Sequence, residues 1–196
     1  MVCGVAISII ITAFVSFAAA CDRLPDTVLR LHILANSDLE ADQNVKYRLR
    51  DFLLTEYGDV FSASPDTLSA KNTAIAALPE IVTKSEEFLQ SIGCDYPVTA
   101  AVENIYFTTR SYGTVTLPAG NYDALRIKIG AGNGRNWWCV MFPPLCLPAA
   151  AADAADADET LPAYFTAEES RRIEDGKGIQ PRFAVYEWLK KMTSSS

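Results

Sequence analysis

The sequence predicts an α+β fold: four or five strands in a mostly antiparallel sheet, with two long helices on one face. Three observations carry this. Residues 38–57 and 66–92 show helical apolar spacing, and residues 98–142 alternate β-branched and aromatic residues between glycine and proline turns. One further β-rich run, 28–35, stands ahead of the helices. With 49% apolar residues among 196, the chain can bury a proper core.

Val28 to Ala35 (VLRLHILA) reads as a buried strand ended by Asn36-Ser37-Asp38. Ser37-Asp38-Leu39-Glu40 fits a capping box, which starts the first helix near residue 38. Val45, Leu49, Phe52 and Leu53 share one face of it. Asp42 and Lys46 form an i,i+4 pair on the other face, and Gly58 is its stop. Ser64-Pro65-Asp66 opens the second helix, where Leu68, Ile75, Leu78, Val82 and Leu89 recur at helical spacing. Pro79 should kink or split it, and Gly93 should cap it.

Val98 to Thr109 is the next strand, with Ser111-Tyr112-Gly113 as a turn and Thr114 to Leu117 pairing back as a hairpin. Pro118 to Asn121 breaks the chain. In Tyr122 to Ile129, Leu125, Ile127 and Ile129 alternate with Arg126 and Lys128, as in a strand with one wet face. Gly130-x-Gly132-x-Gly134 is a flexible hairpin turn into a last strand, Trp137 to Phe142. The spacing and the strand that follows exclude a dinucleotide fingerprint, which needs Gly-x-Gly-x-x-Gly ahead of a helix.

The ends differ from this domain. Val2 to Ala20 is nineteen residues without a charge, about the length that spans a bilayer. It reads as a membrane anchor or as an export signal ending in Ala18-Ala19-Ala20, although no Lys or Arg precedes it. Cys21 is a lipidation candidate, because Ala-Ala-Ala-Cys loosely matches a lipoprotein box. Residues 149–163 form an Ala/Asp-rich linker and 164–196 a short helical tail. The organisation expected is thus 1–21 anchor or signal, 22–148 α+β domain, 149–163 linker and 164–196 tail.

The formal net charge is −7 and no Lys/Arg run exists, so nucleic acid is not an expected partner. There is one histidine, His32, which excludes a multi-histidine metal cluster. Asn136 to Cys146 (NWWCVMFPPLC) holds two of the three tryptophans and two of the five cysteines. Cys139 and Cys146 are disulfide candidates for an exported domain, with buried thiols as the plain alternative. Cys94 is the odd cysteine. A hydrolase would have to pair Cys139 with His32, and no spacing supports that pair. No catalytic residue, metal ligand or cofactor site is therefore assigned. Trp137 and Trp138 must point to opposite sheet faces. Together with His32, Asn36 and Asp38 they are the partner-binding candidates. Their plain readings are core tryptophans, a structural histidine and a helix cap.

The chain resembles the stage II sporulation protein R family of endospore-forming bacteria. The resemblance rests on Leu31-His32-Ile33-Leu34-Ala35-Asn36-Ser37-Asp38 with Asp42-Gln43, Lys46 and Leu49-Arg50-Asp51. It rests also on Pro118-Ala119-Gly120-x-Tyr122-x-Ala124-Leu125-Arg126, on the Ile129 to Gly134 glycines and on Asn136 to Cys146. These blocks cover roughly residues 28–148. The resemblance implies export from the forespore into the space between its two surrounding membranes. There the chain would trigger a membrane-embedded aspartic protease that processes the sigma-E precursor. It implies a signal, not an enzyme, and no cofactor. Two other readings stand beside it: a Cys139/His32 hydrolase, and a lipid-anchored structural protein of the spore envelope.

Overall fold

A computed structural model of the chain describes residues 12, 23–112 and 115–144. Apart from Thr12, the expected anchor or signal lies outside the described residues. So do Cys21, Cys146, the linker and the tail. The described residues divide into two compact units, one of residues 28–105 with 122–144, the other including residues 23–27 and 106–112 with 115–121.

Six strands are described: β1 (Leu29–Leu34), β2 (Val98–Phe107), β3 (Arg110–Tyr112), β4 (Val115–Leu117), β5 (Gly120–Ile129) and β6 (Asn136–Phe142). The two helices between β1 and β2 are α1 (Glu40–Ser62) and α2 (Thr67–Ser91). Four strands form one sheet in the order β2-β5-β1-β6. This is an α+β fold, but the sheet is mixed. β1 runs parallel to β5 and antiparallel to β6. The expected antiparallel bias came from alternation in β5, which reports a wet face and not a strand direction. A parallel neighbour fits β1 because it is buried at all six positions, with Leu29, Leu31 and Ile33 on one face and Arg30, His32 and Leu34 on the other.

Register assigns the faces. Leu31 opposes Leu125 and Cys139, and Ile33 opposes Ile127 and Trp137. His32 opposes Arg126 and Trp138 on the other face. Arg50 of α1 lies over Trp137, and Lys71 of α2 pairs with Asp123. Both helices therefore cover the Leu31/Ile33 face, as expected. Leu31, Ile33, Leu125, Ile127, Leu49, Leu53, Ile81 and Leu89 are fully buried. Each contributes roughly 1.5–3 kcal/mol by leaving water. Phe52 stacks on Phe88 at 4.5 Å and joins the helices.

Several expected boundaries move. α1 runs through Gly58 to Ser62. Pro79 does not split α2, which is continuous over Thr67–Ser91. Asp66 caps it by accepting from the Ser69 amide, and Gly93 ends it at φ +78°. β3 and β4 form their own two-stranded sheet in the smaller unit, where the Ala119 amide donates to Thr109 Oγ1. The Gly130–Gly134 segment is not a hairpin turn. β5 and β6 have β1 between them, so the segment crosses the end of β1.

Candidate functional site

The crossing loop and the β1–α1 corner form one polar lock. The Ala131 amide donates to Asn36 Oδ1 (2.9 Å), the Gly134 amide to the Ala35 carbonyl (2.9 Å) and the Arg135 amide to Asp38 Oδ1 (2.7 Å). Gly130 and Gly132 adopt φ +56° and +64°, conformations that side chains disfavour.

Beneath the loop, Asp42 Oδ2 accepts from Asn36 Nδ2 (2.8 Å) and Ser37 Oγ (2.6 Å). Gln43 Nε2 donates to the Ser37 carbonyl, and Lys46 Nζ donates to Gln43 Oε1 (2.6 Å) and the Arg135 carbonyl (3.0 Å). Asp42 and Lys46 are 5% and 1% exposed. The expected surface ion pair between them is therefore corrected: both side chains are buried and each serves a different loop. Among the described residues no carboxylate pairs with Lys46. Hydrogen bonds from Ser37 and Asn36 hold the Asp42 carboxyl below its usual range. Burial, then the nearby Arg135, pushes the Lys46 ammonium down. The Asp42 charge in turn raises the Tyr96 phenol.

The capping box does not form. α1 starts at Glu40 with Leu39 as N-cap and no side-chain cap bond. Ser37 Oγ instead accepts from the Leu39 amide (3.2 Å) and donates to Asp42, and Asp38 is turned to the loop.

On the sheet face away from the helices, His32 stacks on Trp138 with ring centroids 3.7 Å apart and planes 10° from parallel. His32 Nε2 bonds Asn136 Oδ1 at 2.9 Å. An amide oxygen only accepts, so this nitrogen carries the proton. Burial lowers the His32 pKa to about 4, so the ring is neutral at pH 7. Arg126 beside it bonds Glu103 at 2.9 Å.

Trp137 and Trp138 do take opposite faces, and both are half-buried. Arg50 lies between Trp137 and Tyr47, 5.3 and 5.2 Å from their ring centres.

Cys139 is disulfide-bonded, and its partner lies outside the described residues. Its side chain also points to the face opposite His32. The structure thus does not bring Cys139 and His32 together, and a sulfur held in a disulfide is no thiolate nucleophile. Cys94 is free and half-buried. Among the described residues no group of three His, Cys, Asp or Glu is placed to hold a metal. No helix among them is long and apolar enough to cross a membrane.

Of the partner-binding candidates, Asn36 and Asp38 share the lock, His32 and Trp138 share a stack, and Trp137 stands apart with Arg50. Sequence reasoning missed Asp42, Gln43, Lys46 and Asn136 as parts of these clusters. The available signal was a pair of opposite charges one turn into a helix that directly follows a buried strand.

Fold and site together define a small α+β domain whose polar residues hold its own loops and carry no nucleophile–base pair among those described. Residues 25–152 match the model of the family described as stage II sporulation protein R. The chain is 32% identical over 187 residues to stage II sporulation protein R of Bacillus subtilis (strain 168), covering 87% of this chain and 84% of that protein. It belongs to the stage II sporulation protein R family, and its role is in sporulation. No solved structure matches it.

Proposed function

We propose that this chain is an exported signal that activates a membrane-embedded aspartic protease, which then processes the sigma-E precursor. It acts from the space between the forespore and mother-cell membranes. The family match over residues 25–152 carries the reading. Two features support it. The disulfide at Cys139 suits an oxidising compartment outside the cytoplasm. The uncharged Val2–Ala20 run suits export or anchoring. In this reading Trp137, Trp138 and Asp38 meet the partner, and His32 and Asn36 position them.

Deleting the gene tests it. Sigma-E precursor processing should stop while forespore gene expression continues. Normal processing in the deletion strain would refute the proposal.

A further inference from the structure

β2 is an edge of the four-stranded sheet, and among the described residues no further strand pairs with its outer side. Its ten residues, Val98–Phe107, make an edge about 33 Å long. Such edges are normally guarded by lysine, proline or a charge turned outward. β2 contains neither Lys nor Pro. Its one charge, Glu103, is drawn back to Arg126 of β5 at 2.9 Å, and Asn104 is drawn back to Asp123 of β5 at 3.2 Å. At its start the Val98 amide donates to Glu86 Oε1 of α2 at 3.0 Å. Along the middle of the strand, Ala100 to Asn104, no described side chain guards the outer row of amides and carbonyls.

We propose that this edge pairs with β2 of a second copy, antiparallel, to give one continuous eight-stranded sheet. The same edge supplies both donors and acceptors, so a two-fold pairing is self-complementary. The axis of an antiparallel pair stands perpendicular to the sheet. Residues that oppose each other then share a face, and the axis passes through a residue. Near the middle of β2 that residue is Val102 or Glu103. An axis at Glu103 sets two carboxylates directly opposite, which is repulsive. An axis at Val102 opposes Val102 to itself, Ala101 to Glu103 and Ala100 to Asn104. The geometry therefore selects Val102, and Glu103 stays neutralised by its own Arg126. Strand pairing alone is a small interface, in the class of exchanging assemblies below about 1,200 Å². The inference does not depend on the protease reading.

Cysteine cross-linking of the full chain tests it, in a Cys94→Ser background that removes the free thiol found among the described residues, with that background alone as the control. Under mild oxidation Val102→Cys should form a disulfide-linked species of twice 21.4 kDa. Opposed strand residues lie within disulfide reach, whereas Ala100→Cys or Asn104→Cys would sit roughly 13 Å from its own copy. Val102→Cys should thus give at least tenfold more dimer than either. Adding Ala101→Glu, which sets a second carboxylate opposite Glu103 of the other copy, should lower that yield without lowering the melting temperature. Equal yields at the three positions, or none at Val102, overturn the pairing. An adduct of another mass means that a different protein's strand takes the edge, which also overturns it. Sedimentation of the unmutated chain should show mass rising with concentration. A single 21.4 kDa species through high micromolar concentrations sinks the proposal.

Discussion

Gly134 lies so close to Ser37 that a Cβ on it would fall 2.2 Å from the Ser37 carbonyl oxygen. The obstacle is backbone, fixed by the Gly134 amide bond to Ala35 and the Gln43 bond to that same carbonyl. Gly134→Ala must push the crossing loop off the β1–α1 corner. The expected loss is about 2–3 kcal/mol, or roughly 10 °C in melting temperature. Gly58→Ala is the contrast. Gly58 is inside α1 with nothing within 4 Å of an added Cβ. It should gain about 0.5–1 kcal/mol. Thermal melts of the two variants read both signs.

His32 should make stability fall in mild acid. Its folded pKa is about 4 against an ordinary 6.5, lowered first by burial. Between those values the unfolded chain binds the proton and the folded chain does not. The stabilisation is therefore complete above pH 6.5 and is lost as pH falls towards 4. The span corresponds to on the order of 3 kcal/mol. Urea midpoints measured from pH 7.5 to 4 should decline over this window. His32→Gln, which can still meet Asn136, should flatten the decline. An unchanged slope in that variant would assign the effect to another group.

Much of the fold was legible because it rests on periodicity. Leu49 and Leu53 mark the buried face of α1, and Leu125, Ile127 and Ile129 mark that of β5. What sequence spacing could not supply was which strands are neighbours. A glycine-rich link between two strands reads as a hairpin, yet β1 sits between β5 and β6. Once that insertion is known, the site follows from it: the loop must cross the end of β1, and Asn36, Asp38 and Lys46 are where it lands. The same blindness put Asp42 and Lys46 on the surface. A helical wheel sees a wet face but not the loop that covers it.

Asp42 should be the most sensitive side chain of the lock. It accepts from Asn36 and Ser37, and its charge raises the neighbouring Tyr96 phenol. Asp42→Ala leaves those donors without their acceptor and should cost about 2–3 kcal/mol. Asp42→Asn keeps one acceptor oxygen and should cost less. The carboxyl sits below its usual range in the fold, so its contribution is present above that range. It disappears as pH falls through the depressed folded value. Hydrogen exchange should speed up at the Ala131, Gly134 and Arg135 amides in Asp42→Ala while the α2 amides stay protected. Uniform acceleration through both helices would instead mean that Asp42 supports the whole domain and not the corner.

The disulfide at Cys139 should set how stability responds to reductant. Cys139 is 4% exposed, on the helix-covered face of β6 opposite Leu31. A cross-link there restricts the unfolded chain, and losing one typically costs about 2–4 kcal/mol. Cys139→Ser should therefore lower the melting temperature, and dithiothreitol should lower that of the unmutated chain by a similar amount. The variant itself should not respond to dithiothreitol. This non-additivity separates a lost cross-link from a packing defect. A packing defect would leave the two effects additive, because the serine and the reductant would then act on different interactions. Cys94→Ser should leave both readings unchanged, since Cys94 carries no disulfide.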